Sequence, residues 1–520
     1  MIGDGLRLEA VLLGLCLMAF SCGSDAPALD VLITGGTVYD GIAKEPTQLD
    51  IGVADGKIIF LGDVDTTALQ AAETIDATGY VVSPGFIDSH THALNDLSDS
   101  VKNANLNYLL QGVTTVLTGS DGNSENLIGK RLRYWEENGI GTNAAMLVGH
   151  RNIRRTVMGV AERAPTEEEL NNMKTLVRRG MEEGALGFST GLYYTPASFS
   201  NTDEVVELAK ISAEFGGIYD AHVRDESTYN IGLMAAIEES IEIAERADIL
   251  VNISHIKCLG VDVWGMSREI VDTINAARAR GLRVTADQYP YRASGTSVSN
   301  ALLPKWVFAD LDDFTQKFDD PELLPKIRAG VTENIRRRGG PESLLLVLAN
   351  MPGISDKTLG QVAEEWEVSP TEAALTIIKN GDSRLTSFNM SPDDIHYFMQ
   401  QPWVMTCSDG TNAHPRKYGS FSKKIREYVL EKEVIDLAQM INQSTAFTAE
   451  TFGIQGRGRI EEGYIADILV FKPEEVKDNA TFTDPAQLSS GFHHIILNGK
   501  VAVRDGEVKI TDAGQVIRRQ

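Results

Sequence analysis

Apolar and polar positions divide the chain into three stretches. From residue 29 to 80, short apolar runs alternate with polar residues in LDVLITGGTVYDG and LDIGVADGKIIFLGD, punctuated by Gly and Asp-Gly. That pattern predicts β-strands joined by tight turns. From His90 onward, short apolar runs alternate with amphipathic stretches of helical period, the signature of repeated βα units. The predicted strands are Val81–Asp88, Thr114–Thr118, Ala144–Val148, Gly187–Ser189, Gly217–Ala221, Leu250–Ser254, Arg283–Ala286 and Val404–Cys407. Helices such as Thr166–Glu183, Thr202–Phe215 and Arg268–Arg280 fall between them. Eight strands with helices between predict an α/β fold, a distorted (β/α)8 TIM barrel with its chemistry at the carboxyl ends of the strands.

Residues 300–400 break this rhythm with several helices and a strand-like Leu344–Leu348, which predicts a helical insertion before strand eight. An insertion there covers the barrel mouth and is expected to act as a lid. The tail returns to β with GRGRIEEGYIADILVF and HHIILNGKVAVRDG, mirroring the first stretch. Both chain ends, 28–82 and 455–520, are therefore expected to build one small β domain beside a barrel spanning 83–454.

Composition narrows the partners. The 520 residues are 42% hydrophobic and 23% charged, enough for a large core and more than one domain. A net charge of −25 argues against nucleic acid, whose phosphates require clustered Lys and Arg. Residues 1–27 read as a targeting segment. The apolar run Val11–Phe20 is too short to span a bilayer and is followed by Ser21-Cys22-Gly23. This resembles a bacterial lipoprotein signal, which implies an exported protein, periplasmic or anchored to the membrane through a lipidated Cys22. Two further cysteines, Cys258 and Cys407, make no disulfide framework and are expected to be small buried fillers.

The chemistry gathers where the predicted strands end. VVSPGFIDSHTH closes strand one with His90 and His92, and residues i and i+2 share a face of a strand, so both imidazoles can hold one cation. Strand two leads into Asp121, strand five into His222, strand six into His255 and Lys257, and strand eight into Asp409. Any one of these histidines is easily a core residue. Four histidines and two carboxylates, nearly all at strand ends, are instead the donor set that zinc or another nitrogen- and oxygen-preferring divalent metal takes.

GFIDSHTH, the later isolated histidines, the aspartate of CSDG and the tail IADILVF resemble the amidohydrolase superfamily. LLQGVTTVLTG, LVGHRNIR, FSTGLYYTPA, YDAHVRDES, ISHIKCLG, ADQYPYRASGT and SDGTNAHPRKYGSF resemble, more narrowly, the N-acyl-D-amino-acid deacylases, or D-aminoacylases, over residues 30–520. The resemblance implies hydrolysis of the amide of an N-acyl-D-amino acid to a carboxylate and a free D-amino acid, with one or two zinc ions. It implies a tightly held ion on His222 and His255, a weaker position with His90, His92 and Asp409, and a bridge from strand two. The bridging residue in many relatives is cysteine, whereas the matching turn here is Gly-Ser-Asp-Gly with Asp121, a harder donor.

At such a site Asp409 is expected to take the proton of the attacking water and pass it to the leaving amine. His150 reads either as a donor to the carbonyl oxyanion or as a group orienting a ligand. The resemblance assigns Lys257, Tyr289, Tyr194 and Arg416 to the substrate and its carboxylate, with Arg416 as the bidentate grip. Arg224 and Asp225 read as an ion pair at the barrel mouth. The near rivals are cyclic amidases of the dihydroorotase and hydantoinase type and related dipeptidases, many of which bridge their metals through a strand-four lysine. The stretch ALGFSTGLYY has no lysine. A metal- or ligand-binding lipoprotein without turnover is the rival from another class, yet the ligand set and the aspartate are complete.

Overall fold

The stretch Val81–Asp88, continuous in its apolar pattern, is two strands in space, and that break organises the molecule. In the computed structural model, which describes residues 29–63 and 70–519, Val81–Pro84 runs parallel to Thr37–Val38 and antiparallel to Ile468–Phe471. Phe86–Asp88 turns away to pair with Val113–Thr118. Gly85 makes the turn: its amide donates to Asp467 O at 2.8 Å, and a Cβ here would lie 2.2 Å from Thr114 Oγ1. The targeting segment and Cys22 lie outside the described residues, among which no helix is long and apolar enough to cross a membrane.

The barrel strands are β1 Phe86–Asp88, β2 Val113–Thr118, β3 Asn143–Met146 continued by Val148–Gly149, and β4 Gly187–Gly191. They continue as β5 Ile218–His222, β6 Leu250–Ile253, β7 Val284–Gln288 and β8 Val404–Thr406. All neighbours are parallel. β3 is interrupted at Leu147; its first half pairs with β2 and its second with β4, which is the distortion in the barrel. The ring closes past the strand ends, where the Asp409 amide donates to His90 O at 2.9 Å and Thr91 bridges to Gly410. Strands buried on both faces explain the near-continuous apolar runs in the sequence.

Helices cover the outside. Glu167–Glu182 begins with a capping box between Thr166 and Glu169, and Thr202–Glu214 with the Asn201 side chain accepting from the Glu204 amide. These, and Ser267–Ala279, fall within one residue of their predicted limits.

Both chain ends meet in one seven-stranded sheet. Thr47–Gln48, Thr37–Val38 and Val81–Pro84 continue through Ile468–Phe471, Phe492–Leu497, Lys500–Arg504 and Glu507–Val508. A four-stranded sheet of residues 29–76 packs with it around Val31, Ile51, Val82, Ile468 and Ile496.

The insertion differs from the helical segment expected. It contains an antiparallel sheet in which Ser383–Phe388 lies between Ala293–Ser297 and Leu344–Ala349, with its own core around Leu302, Val331, Leu346 and Leu375. Two of its strands escape sequence reading because ASGTS and SRLTSF are rich in small polar residues.

Candidate metal centre

Four histidines converge on Asp121. Its Oδ1 lies 2.9 Å from His222 Nδ1, 3.3 Å from His255 Nε2 and 3.5 Å from His90 Nε2; its Oδ2 lies 3.6 Å from His92 Nε2. Asp409 faces the same group, with Oδ1 3.1 Å from His92 Nε2 and 3.9 Å from His90 Nε2. Among the described residues two overlapping sets of donor atoms, each spanning at most 4.8 Å, meet here, His90, His92, Asp121 and Asp409, and Asp121, His222 and His255, while His90 also groups with the buried carboxyls of Asp220 and Asp287. Asp121 belongs to both, which is the position of a bridging ligand. A divalent cation fits this group. The donors are imidazole nitrogens and carboxylate oxygens, and among the described residues both ring nitrogens of buried His90 and Nε2 of buried His222 have no hydrogen-bond partner.

The backbone is bent to bring them together. Asp121, His255 and Asp409 all have positive φ, at 56°, 38° and 45°. Left-handed backbone at a residue other than glycine costs on the order of 1–3 kcal/mol, and it persists where neighbours fix it. The fixing contacts are His255 N to Asp287 Oδ1 at 2.7 Å, Asp409 N to His90 O at 2.9 Å, and Gly122 N to Ser189 Oγ at 3.1 Å. Gly191 is required beside Asp121, since a Cβ there would sit 2.4 Å from Asp121 O.

Below the cluster lie buried carboxyl groups that hold the ligand loops. Asp88 Oδ1 accepts from the amides of His90 and Ser408, at 3.2 and 3.0 Å. Asp220 accepts from Asn252 and Ser254, both at 2.9 Å. Burial pushes the carboxyls of Asp88 and Asp220 up to about 8. The cluster itself behaves oppositely. Burial would raise Asp121 and Asp409, yet the facing imidazoles, together with Arg416 for Asp409, outweigh it and hold both carboxyls ionised. Burial takes His90 down to about 4. Burial and Lys257 oppose protonation of His255, but Asp409, Asp121 and Glu226 prevail and raise it to about 10.

A cavity of about 870 Å³ opens above the cluster, lined by barrel loops and by Ser294, Thr296, Asn300 and Arg384 of the insertion. Four residues expected at the substrate line it: Tyr194, Lys257, Tyr289 and Arg416. The Tyr194 ring centre is 4.9 Å from that of His222. Among the described residues the buried Tyr289 hydroxyl has no hydrogen-bond partner, and its ring lies between Arg416 at 4.6 Å and Lys257 at 5.5 Å. Arg416 Nη1 reaches Asp409 Oδ2 at 2.7 Å. The Lys257 ammonium donates to Glu226 and lies 2.6 Å from His255 Nδ1, so its charge is already matched inside the protein.

Two expectations are corrected. His150 does not face the cavity: β3 ends at Gly149 and a helix begins at His150, which turns the ring outward to Glu204 Oε1 at 2.8 Å, beside Arg154. It is neither an oxyanion donor nor a partner of the ligands. Arg224 and Asp225 do not pair either. Arg224 makes a forked contact with Glu239, and Asp225 accepts from the amides of Ser227, Asn230 and Gly232. Sequence reading missed Glu226, which follows His222 by four residues and reaches both His255 Nδ1, at 3.2 Å, and Lys257. It also missed Arg151 and Arg384 in the cavity wall. Cys258 and Cys407 are free, buried thiols, with burial pushing both well up.

The model of an amidohydrolase family matches residues 73–290. The chain is 32% identical to a D-aminoacylase of Alcaligenes xylosoxydans xylosoxydans, covering 95% of this chain and 99% of that one. It superimposes with a TM-score of 0.80, at 29% identity, on N-acyl-D-glutamate deacylase from Bordetella bronchiseptica, solved with zinc and a phosphonate mimic of the tetrahedral intermediate. That match covers 94% of this chain and all of the other. A D-aminoacylase with a binuclear metal centre superimposes with a TM-score of 0.81 at 29% identity, again over 94% of this chain and all of the other.

Proposed function

Because the chain belongs to the amidohydrolase family, among its N-acyl-D-amino-acid deacylases, we propose that it splits N-acyl-D-amino acids with zinc held by the six converging side chains. The products are a carboxylate and a free D-amino acid. The observation that carries the reading is Asp121, whose two oxygens stand within 3.6 Å of four imidazole rings and join two sets of donors at the cavity floor. His222 and His255 would hold one ion with Asp121, and His90, His92 and Asp409 a second.

A zinc ion bound there supplies a Lewis acid for the amide carbonyl and an acidified water. The protein supplies the rest. Asp409 is the proton carrier: Oδ1 faces His92 and the cluster, and Oδ2 is fixed by Arg416, so the carboxylate cannot rotate away. It takes the proton of the attacking water and returns it to the leaving nitrogen. Arg416 and the Tyr289 hydroxyl lie side by side, next to the ammonium of Lys257, and together form the donor set for the α-carboxylate. Glu226 holds Lys257 in place.

The test is amine release by zinc-loaded protein from paired N-acetyl-D- and N-acetyl-L-amino acids. Release from D-isomers, lost on chelation and restored by zinc, is the expected result. Turnover of L-isomers at equal rate removes the D-specific reading, and no release from either series, with metal content verified, removes the deacylase reading.

A further inference from the structure

The cavity carries more positive charge than its carboxylates neutralise. Lys257 is matched by Glu226, Arg416 by Asp409 and Lys417 by Asp96. Arg151 is anchored by its Nε donating to Thr195 O at 3.1 Å, with its guanidinium 5.9 Å from the Tyr194 ring centre. Arg384 has no such anchor. Among the described residues its guanidinium makes no hydrogen bond, and no carboxylate stands within 4.0 Å of it. An arginine carries five donors in a planar fork and no acceptor, and leaving them unused in a half-buried place is unfavourable. Desolvation already lowers the pKa of this one.

Its position is fixed by the insertion sheet. Arg384 stands on Ser383–Phe388, the central strand, paired across from Ser297 on one side and Val347 on the other. Ser383 and Leu385 on either side are buried, and Arg384 lines the cavity. Tyr194, Asp409 and Arg416 line the same cavity, so the guanidinium shares the chamber of the Asp409–Arg416 pair and enters it from the insertion. Arg384 and Arg416 therefore face one substrate volume from different walls, with Arg151 and Arg338 also lining it, in a protein whose overall charge is −25.

We propose that Arg384 binds a second carboxylate on the substrate, so that the enzyme prefers N-acyl-D-glutamate or N-acyl-D-aspartate to neutral N-acyl-D-amino acids. This rests on the deacylase reading above. Arg416 and Tyr289, next to the ligands, take the α-carboxylate common to every substrate, and Arg384 takes the side-chain carboxylate in a forked, charge-assisted contact. A site built to hold a carboxylate rejects the amide of the same shape, because the guanidinium is then left without an anionic partner.

The experiment compares kcat/KM for N-acetyl-D-glutamate with that for N-acetyl-D-glutamine, and the aspartate with the asparagine substrate, in the zinc-loaded enzyme and in Arg384→Gln. The native enzyme is expected to favour each acid over its amide by roughly 10- to 100-fold, the range of a hydrogen bond to a charged group, and Arg384→Gln to abolish that ratio. Both rates in a ratio come from one preparation, so any loss of folded variant cancels. A native enzyme that favours the amides or apolar D-substrates overturns the assignment and leaves the deacylase reading standing. An Arg384→Gln variant that slows acid and amide by the same factor also overturns it and puts the α-carboxylate at Arg384. No turnover of any N-acyl-D-amino acid removes the deacylase reading and this proposal with it.

Discussion

Asp409 has two neighbours that pull on it differently, His92 at one oxygen and Arg416 at the other. Asparagine preserves the shape of that side chain and tolerates the left-handed backbone at φ 45°, but it cannot carry a proton. Asp409→Asn is therefore expected to keep most of its metal, measured by elemental analysis, and to lose turnover by about 10²- to 10⁴-fold, the usual range for a positioned acid–base group. Near-native kcat in a metal-replete variant would strip Asp409 of the proton-carrying role. The residues that stand out in the sequence are histidines and carboxylates at or just past the carboxyl ends of the expected strands: His90, His92, Asp121, His222, His255 and Asp409. The same signal pointed to His150, and failed because the helix that begins there turns the ring away from the barrel axis. Arg384 carried no such signal. It comes from a strand whose pairing is non-local, and its place in the cavity exists only after the insertion folds against the barrel.

The element on which fold and site both depend is the junction at Pro84-Gly85. The small β domain is sewn together by Val81–Pro84, whose two neighbours come from opposite ends of the chain, and two residues later the same segment begins the barrel. Periodicity alone drew one strand here, because proline and glycine inside an apolar run do not say whether the strand ends or bends. The physical reason for the break is close packing against Thr114, whose Oγ1 also donates to Phe86 O at 3.3 Å. A methyl group at position 85 collides with a β-branched side chain that has little rotamer freedom. Gly85→Ala is expected to cost about 1–3 kcal/mol, as overpacking does, and to lower the thermal midpoint while leaving KM unchanged in the folded fraction. An unchanged midpoint would mean that Thr114 moves aside freely and that the junction is not tightly packed.

At the scale of the whole molecule, the metal-ligating set also closes the barrel. His90 and His92 follow β1 and Asp409 follows β8, so an ion shared between them ties the first strand to the last, while His222 and His255 lie within the continuous side of the ring. Without the ion the β1–β8 seam has no ladder: the Asp409 amide donates to His90 O, the Ser408 amide to Asp88 Oδ1 and the Ser89 hydroxyl to Thr406 O, and Thr91 bridges to Gly410. The continuous side is held by full parallel ladders, five residue pairs between β4 and β5 alone. Chelation is therefore expected to loosen the molecule unevenly. The carboxylates and imidazoles of the cluster hydrogen-bond one another, so the metal-free chain stays folded. It loses the linkage free energy of the bound ion, about 4 kcal/mol at a metal concentration a thousand times the dissociation constant. Hydrogen exchange should localise that loss, with the amides of Ser408 and Asp409, which donate across the seam to Asp88 Oδ1 and His90 O, exchanging much faster after chelation and those of the β4–β5 pair changing little. A uniform rise across all eight strands would show that the ion stabilises the barrel as a whole, and no rise at the seam would show that it bears on the ligands alone.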